Sequence, residues 1–137
     1  MLIDKSLKVA DLPIVWNEQI KQYLDLEVPD DSQGVLQDIH WSGGQFGTFC
    51  NYTIGNVMAA QLMETMKKTN PEIQNDINQA NYEPLLNWLT SNIHTHGRRY
   101  TRNELLERST GETLNPLPYI NYLKGKASQV YGVKFND

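Results

Sequence analysis

The sequence predicts an all-α protein. Apolar residues recur at three- and four-residue steps in successive segments, prolines and capping residues stand where such segments begin, and no run of β-branched residues alternates convincingly enough to make a strand. The elements follow in order. Asp11 and Pro13 predict a helix start, an acidic cap with proline in the first turn, and Trp16, Ile20, Tyr23 and Leu24 continue it with Asn17, Gln19, Lys21 and Gln22 on other faces. Pro29 to Ser32 reads as a loop, and Ser42 to Gly47, with three glycines, as a tight turn. Ile54, Met58, Leu62 and Met66 then step by four, with Val57 and Gln61 beside them.

Asn70-Pro71-Glu72 predicts a fresh start, with asparagine as cap and proline at the first helical position. Asn81 and Pro84 open a helix with Leu85, Trp88, Leu89 and Ile93 as its apolar stripe, and Gly97 is expected to end it. Thr101 and Glu104 have the spacing of a capping box ahead of Leu105 and Leu106, and Gly111 is the expected stop. Asn115-Pro116 opens a last helix whose expected inner face is Tyr119, Ile120 and Leu123. At the N-terminus, Ile3 and Leu7 stand one helical four-step apart, with Leu2 alongside, so this stretch is expected to be the tail of a helix cut at Met1 or a short helix docked on the rest.

Composition bounds the function. The 137 residues fit one helical domain spanning 1–137, or a piece of a larger one, and 39% hydrophobic with 20% charged residues suits a folded, soluble chain. A net charge of -4, with basic residues dispersed apart from Arg98, Arg99 and Arg102, argues against a nucleic-acid partner. The single Cys50 cannot make an internal disulfide, so no oxidising compartment is implied. Charged residues near Met1 and the lack of a long apolar run speak against a secretory signal and a membrane span, and the expected location is the cytoplasm.

Two clusters carry candidate chemistry. Gly34 to Tyr52 holds Gln37, Asp38, His40, Trp41, the glycines Gly43, Gly44 and Gly47, and Tyr52. Asp38 and His40, two apart, would not share a helix face, but at a helix end or turn they could converge. A histidine beside glycines can approach a substrate backbone closely, and a tyrosine hydroxyl twelve residues on could donate to a developing oxyanion. The competing reading is a structural cap and turn with a satisfied buried histidine. His94-Thr95-His96-Gly97-Arg98-Arg99-Tyr100 is the second cluster. His-x-His suits a metal on a strand but is poorly placed on a helix. The arginine pair could clamp a carboxylate, although capping a helix C-terminus and pairing with carboxylates is the favoured role. Cys50 with His40 remains open as a thiol nucleophile, a buried inert thiol being the better reading. No His-Glu-x-x-His, P-loop, Gly-x-Ser-x-Gly or dinucleotide-binding fingerprint occurs.

Gly34-Val35-Leu36-Gln37-Asp38-Ile39-His40-Trp41 matches Gly-x-x-Gln-Asp-x-His-Trp, a signature of the carboxypeptidase Taq family. Asp11-Leu12-Pro13, Trp16-Asn17, Tyr52-Thr53-x-Gly55-Asn56, Ala59-Ala60-Gln61, Ile93 to Tyr100 and Leu105 to Gly111 resemble the family's C-terminal region in the family's order, over essentially the whole chain. The resemblance implies the C-terminal part of the carboxypeptidase Taq or neurolysin-like helical fold. It implies a zinc- or cobalt-dependent enzyme that removes C-terminal residues from peptides, homodimeric in most members. The metal-binding His-Glu-x-x-His helix and its downstream glutamate lie earlier in the family and are missing here, so this chain is expected to hold no metal, to be inactive alone, and to need its missing N-terminal half or to self-associate.

By similarity to related oligopeptidases and angiotensin-converting-enzyme-like peptidases, the resemblance implies that His40 positions the substrate and Tyr52 stabilises the oxyanion when metal-bound water attacks. Gln37, Asp38, Gly43, Gly44, Arg98 and Arg99 are the implied substrate-side residues. The chain departs from the family's Gly-Tyr-Phe-Pro-Thr-Tyr by reading Gly47-Thr48-Phe49-Cys50-Asn51-Tyr52, which removes a tyrosine and a proline. The alternative function is a stand-alone, non-catalytic helical binding or structural protein derived from such an enzyme.

Overall fold

The structure is a computed structural model that describes residues 1–135. It is all helical, with no strand among the described residues, and divides into two compact units, Met1–Phe49 and the chain from Cys50 onward.

In the first unit, α1 is Leu12–Leu24, preceded by a 3-10 turn at Val9–Asp11. Pro13 stands in the first turn as expected, but Asp11 is itself helical in backbone (φ -91°, ψ -4°) and its side chain caps nothing. The preceding 3-10 turn supplies the continuity that a cap would otherwise provide. The helix ends at Asp25 in the left-handed region (φ 55°), whose N–H donates to the Lys21 carbonyl at 3.0 Å. Trp16 and Ile20 are half-buried while Tyr23 and Leu24 are exposed, so the apolar face loses its cover towards the C-terminus. The expected loop after Pro29 contains two further 3-10 turns, Asp31–Gln33 and Val35–Gln37. A four-residue helix, α2, follows at Ile39–Ser42. The N-terminal stretch is a correction: residues 2–5 form a turn rather than a helix, and Ile3 is 80% exposed. A four-step of two apolar residues is too short to offset the cost of helix nucleation.

In the second unit, α3 (Cys50–Thr69) is followed by α4 (Ile73–Asn78), α5 (Glu83–Asn92), a 3-10 turn at His94–His96, α6 (Arg102–Thr110) and α7 (Leu117–Tyr131). The core forms where α3 packs against α6 and α7, with Met66, Ile73 and Leu106 almost wholly buried and Val57 nearly so. Each such side chain contributes on the order of 1.5–3 kcal/mol of hydrophobic stabilisation. Gln61 is the one buried polar residue among those described, 3% exposed. Its amide donates to Thr113 O at 2.9 Å and Thr110 Oγ1 at 3.1 Å, and its oxygen accepts the Asn115 N–H at 3.0 Å. Gln61 thereby bolts the α6–α7 connection onto α3.

The Thr101–Glu104 capping box forms in full, and Gly111 ends α6 in the left-handed region (φ 79°) with its N–H on the Glu107 carbonyl. Three other expectations are displaced. Helix α4 starts at Ile73, after a turn in which the Ile73 N–H bonds to the Asn70 carbonyl, so Asn70-Pro71 initiates the turn rather than the helix. Helix α5 stops at Asn92, and Gly97 (φ 55°) closes the 3-10 turn that extends it. Ile120 and Leu123, expected on the inner face of α7, are 40% and 46% exposed. Their periodicity is helical, but no element of this unit covers that face completely.

Candidate functional site

The signature stretch adopts a chain of tight turns that its residue types explain. Gly34 is required by close approach: a Cβ there would lie 2.6 Å from Val28 Cγ1 and 3.2 Å from the Asp30 carbonyl. Asp30 caps the Asp31–Gln33 turn by accepting the Gln33 N–H at 3.1 Å, and Gln37 donates its side-chain amide to the Ser32 carbonyl. Val35, buried, anchors the segment between these bonds.

Asp38 is the N-cap of α2. Its Oδ1 accepts the His40 backbone N–H at 2.8 Å and lies 2.8 Å from His40 Nδ1. The convergence expected of these two residues at a helix end therefore occurs. Both are half-buried, with side-chain exposures of 17% for Asp38 and 25% for His40. Burial raises the Asp38 carboxyl, but the hydrogen bonds from the His40 N–H and ring, attraction to that ring, and the Trp41 N–H outweigh it, so Asp38 titrates below the usual carboxylate range.

Aromatic rings frame the pair. Phe49 meets the His40 ring edge-on, centroids 5.2 Å apart, and Trp41 lies 5.6 Å from Trp16 and 5.5 Å from Phe46. Trp16, Gln37, Asp38, Ile39, His40, Trp41 and Phe49 line an open hollow of about 400 Å³. The glycine turn that closes α2 is tight: Gly43 and Gln45 donate to the His40 carbonyl and Gly44 to that of Trp41. Gly44 (φ 75°) and Gly47 (φ 76°) hold left-handed conformations that an L side chain would strain.

Tyr52 belongs to the second unit, in the first turn of α3, and is 65% exposed. Cys50, which opens that helix, is exposed rather than the buried thiol expected. The second cluster sits on the 3-10 turn and the bend after it, where His94 and His96 do not have the alternating placement of a strand. His96 packs edge-on against Tyr100 at 5.4 Å, and the Arg108 guanidinium lies 4.3 Å over the same tyrosine ring. Arg98 and Arg99 are exposed, and among the described residues neither forms an ion pair. Among the described residues no three His, Cys, Asp or Glu side chains come together as metal donors. No helix among the described residues is long and apolar enough to cross a membrane.

Phe49, which packs on His40, and the long-range bonds of Gln61 have no signal in the sequence pattern. An aromatic nine residues after a candidate histidine carries no pattern that singles it out.

The family model for carboxypeptidase Taq (M32) metallopeptidases matches residues 1–127. Carboxypeptidase 1 of Bacillus subtilis is 37% identical over 130 residues, which is 95% of this chain and 26% of that protein. Among solved structures, an M32 carboxypeptidase from Deinococcus radiodurans aligns with a TM-score of 0.89 at 41% identity, over 96% of this chain and 27% of the other. Metallocarboxypeptidase 1 of Trypanosoma cruzi aligns at 0.85 and 40% identity, over 91% and 26%. The chain thus spans about a quarter of the length of the relatives it matches.

Proposed function

From its place in the carboxypeptidase Taq (M32) metallopeptidase family, to which this chain belongs, we propose that it is the part of a metallocarboxypeptidase that supplies one wall of the peptide cleft and is inactive alone. The observation that carries this reading is the folded Gly34–Trp41 signature, which presents His40 in an aromatic-framed hollow. His40 positions the peptide, and Tyr52 donates its hydroxyl to the oxyanion of the tetrahedral intermediate. Gln37, Gly43 and Gly44 shape the wall, Gln37 with its amide tied to the Ser32 carbonyl. The exposed guanidinium groups of Arg98 and Arg99 are suited to a substrate carboxylate.

Zinc or cobalt, and the groups that activate water, belong in this proposal to the portion of the family's chain outside the match. The number of apolar side chains left exposed, Leu36, Ile39 and Phe46 among them, supports a need for that portion or for a second copy to cover them. The reading as a stand-alone binding protein shares the fold but assigns His40 and Tyr52 no chemistry.

The test is an exchange protein in which this chain replaces the matching stretch of the Bacillus subtilis carboxypeptidase. It is expected to release C-terminal residues from peptides. Tyr52→Phe should lower kcat by roughly 10²–10³ with KM little changed, and His40→Ala should also lower kcat/KM. An exchange protein indifferent to both substitutions removes the proposal.

A further inference from the structure

Within the hollow, the Asp38 carboxylate is bonded to the histidine ring. Resting on the reading of His40 given above, we infer that Asp38 is a positioning residue: it accepts the Nδ1–H of His40, holds the ring in one tautomer and orientation, and leaves Nε2 as the atom that meets the peptide.

The geometry is specific. Asp38 Oδ1 takes two bonds from the same residue, the backbone N–H and ring Nδ1, each at 2.8 Å. An ionised carboxylate only accepts hydrogen bonds, so a short contact to Nδ1 requires the proton on Nδ1. A neutral imidazole carries one ring proton, which places the lone pair on Nε2. Phe49, edge-on at 5.2 Å, flanks the ring and restricts its rotation. A cap alone accounts for the backbone bond, which serine or asparagine would make as well. It does not account for the ring bond, and that bond makes Asp38 different from an ordinary cap.

The tautomer can be read directly in this chain. Long-range proton–nitrogen NMR of the 15N-labelled protein, in alkaline buffer where histidine rings are neutral, should show His40 protonated at Nδ1. Asp38→Ser keeps a capping oxygen but withdraws the carboxylate from the ring, so it should move the proton to Nε2 while His94 and His96 keep their signals. In the exchange protein, Asp38→Ser should lower kcat roughly 10- to 100-fold with KM nearly unchanged. An Nε2–H tautomer in the unsubstituted chain, which requires no variant to fold, overturns the inference. So does an Nδ1–H tautomer that persists in Asp38→Ser. If the tautomer behaves as expected but His40→Ala leaves the exchange protein fully active, the assignment of Asp38 to His40 stands and the catalytic reading of His40 is what fails.

Discussion

Gln61 is the buried polar side chain that ties α3 to the α6–α7 connection. Gln61→Leu keeps the side chain's approximate bulk and removes its four bonds to the α6–α7 connection. Thr110 Oγ1 retains its own bond to the Leu106 carbonyl at 2.8 Å, so it is not orphaned. The Asn115 N–H and the Thr113 carbonyl lose the partners they have at 3.0 and 2.9 Å. A buried main-chain group left unpartnered costs about 1–3 kcal/mol. Thr113 is exposed and recovers water, so the expected cost is that of the Asn115 N–H alone, about 1–3 kcal/mol. Gln61→Glu separates the donors from the acceptor. The carboxylate can still accept from Asn115, but when ionised it faces the Thr113 carbonyl oxygen without a proton to share. Burial and that oxygen raise the introduced group's folded pKa above its unfolded value of about 4.3. Stability tied to its protonated form is therefore present below that value and lost as pH rises through the folded pKa. Urea denaturation followed by helical circular dichroism, at acid and neutral pH, measures both variants. The deficit of Gln61→Glu should shrink at acid pH, and that of Gln61→Leu should not change in parallel with it. A loss below about 0.5 kcal/mol for Gln61→Leu, within the range of ordinary surface substitutions, would refute the bolt.

Other expectations follow from the same contacts. Gly34→Ala should destabilise the first unit by about 1–3 kcal/mol through overpacking against Val28 and the Asp30 carbonyl, read by the fluorescence of Trp16 and Trp41. Ala80 holds a left-handed backbone (φ 58°), so Ala80→Gly should raise stability by up to about 1 kcal/mol in the same denaturation assay. Because Asp38 titrates low, its contribution is present above the unfolded carboxylate value and is lost as pH falls through its folded pKa. The advantage of the unsubstituted chain over Asp38→Asn should accordingly shrink below about pH 4. Sedimentation of the isolated chain should show concentration-dependent association through its exposed apolar side chains, and a clean monomer at high concentration would count against it.

The residues that announced themselves in the sequence act locally. Thr101 with Glu104, Gly111, Pro13 and the Ser42–Gly47 turn form as expected because a cap or a left-handed glycine needs only its neighbours along the chain. The Asp38–His40 meeting was legible for the same reason, two residues apart at a helix start. What failed depended on cover. Periodicity puts Tyr119, Ile120 and Leu123 towards one side of α7, but the depth of burial is set by whatever packs there. The Leu2–Leu7 stretch carries an apolar step that becomes a helix only if something stabilises it from outside. Gln61 was hidden for the opposite reason: its partners lie some fifty positions away, and no spacing rule links a mid-helix glutamine to a distant loop.

The function proposed for this chain gives it part of a peptidase site and not a working one. Its most direct test incubates the isolated chain with a peptide, in the presence of added zinc or cobalt, beside the exchange protein under identical conditions, and measures release of the C-terminal amino acid. Release by the exchange protein and none above blank by the chain alone is the expected result. Release by the isolated chain would contradict it.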